Sequence, residues 1–190
     1  MKKMRFILLA GLLLGTNLVQ AQIETMYSMY RLNPVITSPA FAGEVEQLAE
    51  ITAMNRQQWV GIQGAPRTMG FTGNFKWKPN TGLGFVFLSD VSGPSKIMTA
   101  AGDFAYQVKL NESWKVSGGV RVGMSSLGLD YDGIQVVDPT DSVFQGSRTT
   151  GMKFNTGWGL RLANNKGLFV AISQPRVIGY DFGSGNGRSE

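Results

Sequence analysis

The stretch Trp114-Lys115-Val116-Ser117-Gly118-Gly119-Val120-Arg121-Val122-Gly123-Met124-Ser125 decides the fold class. Its even positions carry Trp, Val and Met, and its odd positions carry Lys, Ser, Gly and Arg. A β-strand turns successive side chains to opposite faces, so this segment has one apolar face and one polar, glycine-rich face. The pattern recurs where Met69, Phe71, Phe75 and Trp77 alternate with Thr68, Gly70, Thr72, Asn74 and Lys76. It recurs again where Met98, Ala100, Phe104, Tyr106 and Val108 oppose Thr99, Ala101, Asp103, Ala105 and Gln107. Repeated strands of roughly ten residues with such faces read as an all-β fold, an antiparallel transmembrane β-barrel of the outer-membrane type. A soluble β-sandwich satisfies the same alternation. The strand lengths, the leader described next and the large aromatics on one face favour the membrane.

Lys2, Lys3 and Arg5 precede an apolar run from Phe6 to Leu18, and Val19-Gln20-Ala21 ends in a small residue before Gln22. That is the form of a cleaved signal peptide, too short for a comfortable span, and no Cys follows it to make a lipoprotein. Without residues 1–21 the chain keeps 15 basic and 13 acidic residues, a net of +2. No Lys/Arg cluster points to nucleic acid. Cysteine and histidine are absent. Disulfides, thiolate chemistry, Ser-His-Asp catalysis and imidazole metal sites are thereby excluded. The chain reads as a non-enzyme that needs no cofactor.

Three regions follow: the signal peptide over 1–21, an irregular plug or periplasmic segment over 22–47, and barrel strands over 48–190. Two prolines five apart, Pro34 and Pro39, resist both helix and central strand in the second region. Strands are expected at 48–57, 67–77, 81–89, 97–110, 113–125, 151–163 and 167–174. Leu127, Leu129 and Tyr131 mark a short strand or a continuation past a bend. Lys78-Pro79-Asn80, 109–113 and 164–167 read as short connections. Ser92-Gly93-Pro94-Ser95 and 132–150 read as longer ones, the short set facing the periplasm. The polar run Gly183 to Glu190 is not the usual end of such a barrel, so the strands read as the N-terminal part of a larger one.

Four stretches resemble the PorP/SprF family, the outer-membrane barrel components of the type IX secretion system of Bacteroidota. They are Tyr27 to Pro34 running into Ser38-Pro39-Ala40-Phe41-Ala42-Gly43, Arg56 to Thr68, Gly82-Leu83-Gly84 through Pro94, and Phe154 to Gly159 with Ser173-Gln174-Pro175-Arg176. The first two are the more specific. The resemblance implies a protein that acts through partners: periplasmic and outer-membrane components of the secretion machine, and a secreted surface protein or adhesin, gliding adhesins included. The residues matching its motifs, Tyr30, Asn33, Pro34, Pro39, Gly43, Arg56, Trp59, Gly64 and Pro66, are the candidate partner-binding set. The segment from Tyr27 to Gly43 is the candidate plug or dock.

Two further clusters remain open at this level. Asp130, Asp132, Asp138 and Asp141 lie close together and could hold calcium, but their spacing is not that of an EF-hand, and a solvated extracellular loop is the favoured reading. Lys109, Lys115, Arg121, Lys153 and Arg161 share the polar face with Asp103. They could line an anion-selective lumen, or pair with acidic groups of other strands or of the N-terminal segment. The leading functional expectation is an outer-membrane docking barrel for type IX secretion. The alternative is a general porin or small-solute transporter.

Overall fold

The computed structural model describes residues 30–131, 147–149 and 151–177. The leader, Tyr27, Asp132, Asp138, Asp141 and the polar C-terminal run lie outside these residues.

The described residues form one antiparallel sheet. Its strands are β1 (Ala49–Gln57), β2 (Arg67–Lys78), β3 (Thr81–Ser92), β4 (Ser95–Lys109), β5 (Trp114–Asp130), β6 (Ser147–Thr149), β7 (Lys153–Asn164) and β8 (Phe169–Gln174). The pairing path is β1-β2-β3-β4-β5-β7-β8, and the short β6 pairs with the far end of β5. No α-helix occurs among the described residues, only two 3-10 turns, Pro34–Ile36 and Pro39–Phe41. β1 and β8 are the edges and do not pair with each other, so the sheet is open.

Seven of the strands arise from the alternation already described. β6 falls within 132–150, which read as a connection, and is held there by pairing with the end of β5. Two further features differ from expectation. β5 runs unbroken to Asp130, taking in Leu127 and Leu129 as a continuation. Ser92-Gly93-Pro94-Ser95 is not a long connection. Ser92 pairs with Ser95 across a two-residue turn, with Gly93 at φ 55 and Pro94 after it. Glycine tolerates the positive φ and proline supplies the negative one, the sign pattern of a type II′ hairpin. This lengthens β3 to Ser92 and starts β4 at Ser95. At the opposite end the connections are short. Asn111 Oδ1 accepts from the Ser113 and Trp114 amides, and Asn164 Oδ1 accepts from those of Lys166 and Leu168. These are side-chain mimics of a backbone turn.

Burial is reversed relative to a soluble domain. Thr68, Thr72, Asn74, Asp103, Ser117, Arg121, Ser125, Asn155 and Arg161 are buried. Their neighbours one residue away, among them Met69, Phe71, Phe104, Val120, Val122, Phe154 and Leu160, are exposed. A sheet in water buries its apolar face, and a sheet in lipid need not.

The sheet is strongly curled. The carbonyl of Phe41 accepts from Asn74 Nδ2 on β2, and the Phe41 ring packs edge-on against Phe169 on β8, with centroids 5.4 Å apart. Five strand spacings separate β2 from β8, roughly 24 Å in a flat sheet. One phenylalanine reaches both only because the polar face is wrapped inward around it.

Candidate functional site: the enclosed polar face and the segment it holds

Residues 33–45 lie against the inward face. The first 3-10 turn touches β2 and β3, and the second touches β4, β5, β7 and β8. The prolines start both turns, where a missing N–H costs nothing. Ser38 Oγ accepts from the Ala40 amide and so begins the second turn. Val35, Ile36 and Ala42 form a small apolar seam with Val86, Leu88 and Ala105, flanked by Met54 of β1.

Polar ties fix the segment along its length, among them Asn74, which accepts from the Gly43 amide and donates to the Phe41 carbonyl, and Ser173 Oγ, which donates to the Thr37 carbonyl. At its start, Asn33 Nδ2 donates to Thr72 Oγ1 at 2.6 Å. In its middle, Arg121 is the hub. Its Nε and Nη2 donate to the two carboxylate oxygens of Asp103, both at 2.7 Å. Its Nη1 and Nη2 also donate to the carbonyls of Ile36 at 2.9 Å and Val35 at 2.5 Å. Asp103 and Arg121 face each other across the β4–β5 register, so the planar fork meets the carboxylate two-pronged and still has donors for the segment.

At the exit, Glu44 joins β5 to β7. Lys115 Nζ donates to its two oxygens at 2.7 and 2.9 Å. Arg161 Nη1 lies 2.9 Å from Oε2, and Nη2 donates to Oε1 at 3.1 Å. The Arg161 guanidinium also stacks on Phe41, 4.8 Å from its centroid, and on Phe169 at 5.5 Å. Burial pushes the Glu44 carboxyl up. The hydrogen bonds from Arg161 and Lys115, and then their charges, outweigh it and hold the group below its ordinary value.

A carboxyl whose folded value is lowered stabilises above its unfolded value, and that contribution is lost as pH falls through the lowered value. Acidification below the usual carboxylate range is therefore expected to lower the protection of the amides of residues 43–46 against hydrogen exchange, measured relative to their intrinsic rates at each pH. In Glu44→Gln that pH dependence of the protection should disappear. If both proteins respond alike, Glu44 is not the group that titrates.

Close approach of two backbones completes the fit. A Cβ on Gly119 of β5 would overlap the Pro39 carbonyl and the Ala40 amide nitrogen. Gly43 has φ 76 and lies on Gly82, where any side chain on either residue would strike backbone. Gly119→Ala is expected to destabilise the fold by about 1–3 kcal/mol through overpacking. Gly102→Ala, where a Cβ meets nothing within 4 Å, is the control. Equal urea midpoints for the two variants would show that the segment gives way freely.

The motif residues fall into two groups. Asn33, Pro39 and Gly43 are buried in contacts within the chain, Pro34 is half-buried, and Tyr30 is exposed at the segment's beginning. Arg56 is half-buried on the inward face of β1. Trp59, Gly64 and Pro66 belong to the β1–β2 loop, at the same end of the sheet as the Gly93-Pro94 turn and opposite the turns after β2, β4 and β7. There the Gly64 carbonyl accepts from the Gly93 amide and the Pro66 carbonyl from the Gln58 amide. Trp59 is 67% exposed, with φ 48, a conformation rare for a bulky residue. The structure does not bring these two groups together.

Of the basic residues on the polar face, Arg121, Lys115 and Arg161 have carboxylate partners within the chain. Glu44 and Asp103 carry this network; the sequence placed Asp103 with the basic residues of the polar face but did not single out Glu44. The signal available for Asp103 was its lone charge among small residues on the polar side of β4. Glu44 had none, because its partners lie 71 and 117 residues away.

The family profile of the type IX secretion system membrane protein PorP/SprF matches residues 19–189. The chain belongs to the PorP/SprF family. No curated protein and no solved structure matches it. Membership of PorP/SprF makes this a membrane component of type IX secretion, with the secretion machinery as its partner. In a membrane protein the exposed apolar face of the sheet has a solvent that suits it.

Proposed function

We propose that this PorP/SprF protein is an outer-membrane β-barrel, delivered by a cleaved signal peptide, that docks type IX secretion machinery and helps export or attach a surface protein such as an adhesin. It performs no chemistry of its own. The observation that carries the reading is the curled sheet whose polar face is filled by residues 33–45 of the same chain. A conducting pore keeps its polar interior for water and solute. Here the interior holds a segment tied at Thr72, Arg121, Lys115 and Arg161. That arrangement supports a plugged docking barrel over a porin.

Closure of the sheet is part of the proposal. β2, β3, β4, β5 and β7 are 12 to 17 residues long, enough for a tilted crossing. Further strands between β8 and β1 would complete the ring. The turns after β2, β4 and β7 face the periplasm, which puts the exit of the segment at Glu44 on that side and the Trp59 loop, with the Gly93-Pro94 turn beside it, on the other.

The test is affinity capture of the full-length tagged protein from outer membranes, with mass spectrometry of what accompanies it. Recovery of type IX components or one large surface adhesin is expected. Absence of partners together with steady single-channel conductance of the purified protein would overturn the docking reading in favour of the porin.

A further inference from the structure

Two cavities flank the Glu44–Lys115 pair at the short-turn end of the polar face. One, of about 440 Å³, has Glu44, Glu46, Lys76, Lys109 and Lys115 in its wall. The other, of about 360 Å³, has Glu44, Lys109, Lys115 and Arg161. All four cations lie on the inward side of their strands, by the same alternation that buries Asn74, Ala105, Ser117 and Ala163. Glu44 satisfies two of them, Lys115 and Arg161. Lys76 and Lys109 are exposed and have no ion-pair partner among the described residues. The walls therefore carry four positive side chains against two carboxylates.

We propose that these linked cavities form a binding site for an acidic peptide segment of a partner protein. Glu44 marks the chemistry, since one carboxylate already sits between a lysine and an arginine with four N···O contacts of 2.7–3.1 Å. Further carboxylates in an extended peptide meet Lys76 and Lys109, which share a cavity wall with Glu44. Cavities of several hundred Å³ take side chains rather than folded domains. The cations lie on the inward side of their strands, opposite the apolar outer face. The inference rests on the docking reading for its partner, but peptide binding can be measured without the secretion machine.

The experiment uses the full-length protein in nanodiscs of neutral lipid, with a short fluorescent polyglutamate peptide as probe and polyglutamine as control. Polyglutamate is expected to bind, to weaken as salt rises, and to lose about tenfold in affinity in the double variant Lys76→Gln/Lys109→Gln. Both lysines are exposed, and a retained heat-dependent gel shift will show that the variant is folded. No binding, equal binding of polyglutamine, or binding indifferent to the two substitutions overturns the proposal. So does polyglutamate binding that appears only in nanodiscs of anionic lipid, which would place the affinity in the lipid. Type IX components captured by a protein that ignores polyglutamate would refute this site while leaving the docking reading intact.

Discussion

Asp103→Leu is expected to lower the stability of the folded protein by about 3–5 kcal/mol, because it leaves Arg121 buried without its counter-charge. The Asp103 side chain is wholly buried and that of Arg121 is 9% exposed, so water cannot replace the lost partner. Arg121→Met should do comparable damage for a different reason. It strands the Asp103 carboxylate and also removes the donors from the Val35 and Ile36 carbonyls. The double variant Asp103→Leu/Arg121→Met separates the two effects. Apolar replacement of both charges recovers most of the pair's cost, but the segment stays untethered at its centre, with a residual loss of about 1–3 kcal/mol. Urea unfolding in lipid vesicles measures the first quantity, and limited proteolysis between residues 30 and 45 measures the second. If Asp103→Leu unfolds at the same urea concentration as the exposed-site control Lys166→Gln, the clamp does not hold the fold together.

The second large effect lies on the opposite face. Phe104 and Val120 are cross-strand partners on β4 and β5, 42% and 53% exposed. Arginine at either position is expected to cost about 2–4 kcal/mol if the pair faces lipid near the bilayer midplane. In water an exposed phenylalanine replaced by arginine would cost little. The measurement is the unfolding midpoint of folded protein in vesicles, with Lys109→Arg, near the strand end, as the control. Midpoints for Phe104→Arg and Val120→Arg that match the control would mean that this face is not lipid-exposed.

These predictions draw on information of different kinds. The faces of Phe104 and Val120 were legible from alternation alone, because the side-chain period of a strand is two whatever it packs against. Strand positions followed from the same rule, and the errors came where it falls silent. The Ser92–Ser95 connection looked long because the alternation breaks on both sides of it, at the polar pairs Ser89-Asp90 and Ser95-Lys96. Gly93 and Pro94 nevertheless suit a two-residue hairpin, and pairing with β4 carried the ladder through. The basic residues of the polar face were visible as a set, but the choice between lining a channel and pairing within the chain was not. That choice depends on where Glu44 and the Val35 and Ile36 carbonyls come to rest.

Local chemistry in the chain thus determined the all-β class, the two faces, the turn residues and the irregular course forced on residues 33–45 by Pro34 and Pro39. It also carried the family motifs. Tertiary structure alone decided that the sheet curls, that its polar face closes on that segment, and that Arg121 and Glu44 are the fastenings. The physical reason is one of range. Alternation, prolines and turn chemistry act over a few residues. The contacts that fill the interior join residues 31 to 136 positions apart, and they form only once strand pairing has rolled the sheet around them.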